Sequence, residues 1–234
     1  QNRLKMDPEE VEARKYLGLQ VQLGHCLSYI LPQADEKLLW PSYIPLFDQL
    51  VYGISLNNGA QKYYLNKQTN SNRVYIPPKS LNIAWGHDPR YWKWELLEEW
   101  DKRALLAVLI KVNWFDVRGS VKASLLSSRI LYLVAFVVYF NEDAHGWHVP
   151  VNLVLKKPNG CKIESKVNIE GKPKGEYFEV DAGELILDNC GCGDSGIIEF
   201  AMYEHGSHEK RGLVMKGVIL RSKASDGCPH ANVK

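Results

Sequence analysis

From Leu50 onward the apolar residues of this chain recur at every second position, in short runs separated by Gly, Pro and Asn. A period of two puts alternate side chains on one buried face, which is the pattern of a strand and not of a helix. The spacing predicts strands over 51–56, 60–65, 80–85, 105–117, 130–140, 149–156, 165–169, 176–181, 196–203 and 213–221. Between the first two lies Asn57-Asn58-Gly59, and Asn-Gly is the strongest short hairpin signal. Many short strands without intervening long helices predict an all-β, jelly-roll β-sandwich and not βαβ units. A short helix is expected near 96–107, where Leu, Glu, Lys, Arg and Ala cluster.

Ahead of the strands the period differs. Asp7 suits an N-cap, Pro8 the first helical position, and Glu9 and Glu10 the first turn. Tyr16, Leu19, Leu23, Cys26 or Leu27, and Ile30 follow at helical spacing and Pro32 ends the run. Residues 7–31 therefore read as a helix, and 32–46, with Pro32, Pro41 and Pro45, as a linker. The expected organisation is an N-terminal α-helical extension with its linker over 1–49, a β-domain over 50–222 and a tail over 223–234.

The 234 residues are 45% hydrophobic and 24% charged, enough for a packed core. The net charge of +2 leaves no broad basic field of the kind a dedicated nucleic-acid binder carries. The longest apolar run, 130–140, is too short for a membrane helix and reads as a buried strand. Asp7, Glu9, Glu10 and Glu12 stand where a leader's apolar segment would be, so no signal peptide is expected. No Asn lies in an Asn-x-Ser/Thr sequon, and a cytoplasmic location is expected.

Five cysteines, an odd number, make a poor disulfide framework. Cys190, Cys192 and Cys228 fall in Gly-rich loop or tail sequence, where exposed thiols would cross-link chains. With His230 they match no metal-site spacing, so no metal or cofactor is expected. His145-Gly146-Trp147-His148 and the 204–209 segment with His205 and His208 read as solvated turns. The pairs Glu98–Glu99 and Glu184–Asp188 have no evident cleft to face across, and no nucleophile elbow or phosphate loop occurs. Enzymatic activity is not expected.

The remaining signal is the run from Trp85 to Trp94, which places Trp85, Tyr91, Trp92 and Trp94 among His87, Asp88, Pro89, Arg90 and Lys93. A core strand mixes aromatics with aliphatics; here the rings alternate with polar groups. A pyranose offers a C–H face to a ring and hydroxyls to polar side chains, so the run suits a sugar platform. Trp94 and Trp114 are assigned to the core.

The sequence from Leu81 to Trp94 resembles the signature of the phloem protein 2, or Nictaba-type, lectin family. Val112–Gly119, 130–140, Gly183-Glu184-Leu185, Glu199–Glu204 and Gly212–Val218 resemble further family strands in the same order, and 53–65 is similar to its longer members. Size and N-terminal helix look most like the larger cucurbit phloem-exudate lectins. The resemblance implies a jelly roll that binds N-acetylglucosamine oligomers (chitin fragments and the chitobiose core of N-glycans), acts without catalysis in phloem sap, and serves defence. It implies Trp85 as the chief stacking ring, Trp92 as its assistant and Glu204 as a polar contact; Asp88 and Tyr91 are added from their chemistry. A further acidic position of the family is Ile197 here. Weak single sites make a homodimer the expected form. Two other roles stay open: a phloem filament protein cross-linked through Cys190, Cys192 and Cys228, and a weak RNA carrier using Lys156, Lys157, Lys162, Lys166, Lys172 and Lys174.

Overall fold

A computed structural model describes residues 29–39, 43–66, 71–99, 102–187 and 196–223. The helix expected over 7–31 falls outside these except for its last residues, and Cys190, Cys192 and Cys228 fall outside them altogether. Within them lie a helix α1 (Tyr43–Tyr52) and the strands β1 (Ile54–Leu56), β2 (Gln61–Leu65), β3 (Asn72–Ile76), β4 (Asn82–Ile83), β5 (Trp92–Glu99), β6 (Lys102–Leu109), β7 (Phe115–Lys122), β8 (Leu131–His145), β9 (Val151–Lys156), β10 (Lys162–Val167), β11 (Phe178–Ile186), β12 (Ile197–Glu204) and β13 (Arg211–Ser222). No described helix is long and apolar enough to cross a membrane.

The strands form two antiparallel sheets. The smaller runs β10-β9-β12-β7-β4; the larger runs β1-β2-β3-β13-β6-β5, with β8 and β11 attached through β13. Alternation decides what each buries. In β7 and β12 the inward set is Phe115, Val117, Phe200 and Met202, all buried, while Asp116, Arg118, Glu199 and Tyr203 point outward. The inward set meets Phe136, Val138, Leu213 and Met215 of the larger sheet, with Phe136 edge-on to Phe200 at 5.9 Å. This is the all-β sandwich that the period of two predicts.

Four expectations are corrected. No helix forms near 96–107; β5 and β6 pair there as a hairpin, Trp92 against Leu109 and Leu96 against Leu105. Good helix formers are overridden because both faces of β6 find burial: Ala107 and Leu109 in the main core, Leu106 and Val108 with Val214 in a second cluster. The single strand expected over 105–117 is two strands in different sheets, since the chain crosses the sandwich between Leu109 and Phe115. The end of the linker and the start of the first strand give way to α1, while 54–56 remains strand as β1; the helix tolerates Pro45 because a first-turn residue has no helical N–H bond to lose. Strand 80–85 shrinks to Asn82–Ile83, and its remainder becomes a turn. The 57–59 hairpin stands as expected, with Asn57, Asn58 and Gly59 all left-handed and the Asp35 carboxylate accepting the amides of Asn58 (2.6 Å) and Gly59 (2.7 Å).

Candidate functional site

The turn that replaces the end of that strand is built to hold one ring outward. Ile83 pairs with Val117, and the Ala84 amide donates to the Asp116 carbonyl at 2.9 Å, so the loop leaves the edge of the smaller sheet beside the start of β7. Trp85 follows with φ of 61°, a left-handed conformation that a bulky residue adopts only under constraint. The constraint is visible. The Trp92 indole Nε1 donates to the Ala84 carbonyl at 3.0 Å, and the Trp94 Nε1 to the Gly86 carbonyl at 2.9 Å, bracketing Trp85 from both sides. The Gly86 amide closes on the Ile83 carbonyl, Asp88 on Trp85 and Tyr91 on Asp88. The outcome is a tryptophan 59% exposed on a fixed backbone.

Around it, the Tyr91 ring stands 5.9 Å from the Trp85 ring at 49°, and the Arg90 guanidinium lies over Tyr91 at 5.3 Å. Arg90 also grips Asp88 through Nε at 3.0 Å and Nη2 at 2.6 Å. Those hydrogen bonds, then the Arg90 backbone amide and the guanidinium charge, hold the Asp88 carboxyl below the usual range, so it accepts hydrogen bonds as an anion.

Trp85, Asp88 and Tyr91 are thus brought together. Trp92 and Glu204 are placed elsewhere. Trp92 is 2% exposed and packs near Phe115, with 6.4 Å between ring centroids, so it supports the loop and offers no face to a ligand. Glu204 is 6% exposed beneath the turn between β12 and β13, where it pairs with Lys210 and accepts the Gly206 amide at 2.8 Å. Burial pushes its carboxyl up, but Lys210, Gly206 and His208 outweigh that and keep it below the usual range. Lys210 in turn donates to the carbonyls of Asn113 (2.7 Å) and His208 (3.1 Å). This buried pair fixes the turn, and neither group is open to solvent.

Trp114 overturns its assignment to the core. It is 52% exposed, and the His205 ring stacks on it at 3.7 Å with planes 10° apart. His205 Nε2 meets Asp116 Oδ2 at 2.9 Å, and Arg118 holds the same carboxylate through Nε (2.7 Å) and Nη2 (2.8 Å). Burial would push the Asp116 carboxyl up; these two partners outweigh it and keep it charged. Strand parity contained the signal: with Phe115 and Val117 inward, residues 114, 116 and 118 must face out. The remaining histidine pair is a latch, His208 Nε2 against the Gly146 carbonyl at 3.0 Å with the His148 ring 4.7 Å away. Among the described residues no three His, Cys, Asp or Glu side chains are grouped to hold a metal ion.

A solvent-facing tryptophan on a loop locked by two further tryptophans is carried by the segment 81–94, and that segment lies inside the chain's match to the model of the phloem protein 2 family, residues 71–222. The chain belongs to the phloem protein 2 family. Among family relatives, a protein named Lectin from Luffa acutangula is 37% identical, over 88% of this chain and 98% of its own length. Protein PHLOEM PROTEIN 2-LIKE A1 of Arabidopsis thaliana is 35% identical, over 87% of this chain and 82% of its own. A second protein named Lectin, from Coccinia grandis, is 29% identical over 67% of this chain and 98% of its own length.

Proposed function

We propose that this phloem protein 2 chain is a carbohydrate-binding lectin, without catalytic activity, that recognises N-acetylglucosamine oligomers in chitin fragments and in the cores of N-glycans. The observation that carries the reading is the outward Trp85 ring on its locked loop. A neutral sugar asks for a flat ring against its C–H face, an anionic or amide acceptor for its N–H and hydroxyls, and an apolar niche for the acetyl methyl. Trp85, Asp88 and Tyr91 supply these in that order. The names of the Luffa and Coccinia relatives support carbohydrate as the ligand class. The RNA reading finds less support. Lys156 pairs with Glu199 at 2.6 Å and Lys162 with Glu164, so the lysines of β9 and β10 sit among carboxylates and make no single-sign field. A symplastic, phloem-sap setting, a defence role and a homodimer that gains by avidity complete the proposal.

The test is calorimetric titration with chitotriose. Trp85→Ala should lose binding while its circular dichroism stays that of the wild type, because the removed ring is largely exposed and is not one of the buried core side chains. Retained affinity in that folded variant would refute the site.

A further inference from the structure

The outward face of the smaller sheet carries a second aromatic assembly that the Trp85 loop does not use. Its order is Trp114, His205, Tyr203, Arg118: the Trp114 and His205 rings stacked at 3.7 Å, His205 and Tyr203 at 4.7 Å, and the Arg118 guanidinium 5.8 Å over Tyr203. Two members share one anchor and a third is held through its backbone. Asp116 clamps both His205 and Arg118, and the Asn152 amide donates to the Tyr203 carbonyl at 3.2 Å. Ala201, the residue paired with both Arg118 and Val154, is buried between its larger neighbours on this face.

We propose that Trp114, backed by His205, is a second sugar-stacking surface, taking a further residue of the same oligosaccharide that Trp85 engages. The proposal rests on the carbohydrate reading given above. Three observations favour this occupant. One face of the Trp114 indole is covered by a parallel imidazole, so the exposed remainder of the residue includes the flat face a pyranose stacks on. The flanking groups are fixed polar ones, Arg118, Asp116 and Tyr203, suited to hydroxyls; the broad apolar centre that a protein partner needs is missing from the described residues here. The surface also adjoins the Trp85 loop. Val117 faces Ile83, Asp116 receives the Ala84 amide, and the two tryptophans therefore emerge on neighbouring segments at one end of one sheet. Oligomer length then becomes a specificity determinant: short chains fill the Trp85 loop and longer ones reach Trp114.

The experiment is a titration of the ¹⁵N-labelled full chain with N-acetylglucosamine oligomers from dimer to hexamer, following the indole N–H signals assigned by single Trp→Phe replacements. The expected result is that the Trp85 indole shifts with every oligomer and the Trp114 indole joins it as the chain lengthens. Trp114→Ala should weaken the hexamer roughly fivefold, the increment of one stacked ring, and leave the dimer unchanged. If Trp85 responds to the hexamer and Trp114 does not, the second surface is refuted while the Trp85 site stands. If Trp114 responds and Trp85 does not, the Trp85 assignment fails and the shared-oligosaccharide proposal falls with it. Silence of both indoles removes both. The wild-type shifts decide the question even where Trp114→Ala does not fold, and Trp114→Phe, which keeps a ring, should retain most of the hexamer affinity.

Discussion

At the scale of single residues, the site depends on backbone that its side chains force. A Cβ at Gly86 would stand 3.0 Å from both Cβ and the carbonyl oxygen of Ile83, closer than such atoms settle without movement. Gly86→Ala should therefore cost about 1–3 kcal/mol of stability, readable in a urea melt, and should loosen ligand binding because the loop turns at that point. Trp92→Phe removes the bond to Ala84 and leaves a gap beside Phe115. It should cost a similar amount and weaken binding severalfold without touching ligand, which chitotriose titration of the folded variant would show. The sequence made the grouping of Trp85, Asp88 and Tyr91 legible, and the structure sets the Trp85 and Tyr91 rings 5.9 Å apart; that they form a sugar platform is the proposal. It concealed the division of labour between Trp85 and Trp92, because neighbouring tryptophans look alike until indole N–H partners are known. Glu204 was equally opaque: its partner, Lys210, becomes visible only when the turn between β12 and β13 closes over both.

At the scale of elements, the β12–β13 turn hangs on that buried pair. Because the Glu204 carboxyl titrates below its unfolded value, its contribution to stability is present above the ordinary carboxylate range and lost as pH falls through the depressed value. The wild type should lose stability on acidification, and Glu204→Gln should flatten that part of the pH profile. Lys210→Ala, which strands a buried carboxylate, should cost about 3–5 kcal/mol, a loss that thermal unfolding would detect. Strand β10 shows a different element-level device. It is an edge, and Lys162, Glu164 and Lys166 keep it from pairing with another chain. The same scale explains what periodicity could and could not convey. Strands with one wet face, such as β9 and β12, announced themselves by alternation. The β5–β6 hairpin did not, because β6 sets helix-forming residues in a strand whose second face is also covered, and β4 was overestimated because the turn after it is held by the indoles of Trp92 and Trp94, each eight residues along the chain from the carbonyl it binds.

At the scale of the whole molecule, ligand binding and folding are one equilibrium. Chitotriose at a hundredfold its dissociation constant should add about 2.7 kcal/mol and raise the unfolding midpoint by roughly 5–10 °C, while Trp85→Ala shows no rise. Scanning calorimetry of the two proteins side by side checks this. The partition of the tryptophans has an optical consequence. Trp92 and Trp147 are sealed in the sandwich, whereas Trp85 and Trp114 stand in water. The buried pair should emit at short wavelength and resist acrylamide, and the outward pair should emit at long wavelength and be quenched. A glycan lying on the outward rings would shift emission to the blue and shield it from quencher, so the protein carries its own fluorescent gauge of occupancy, with no label required.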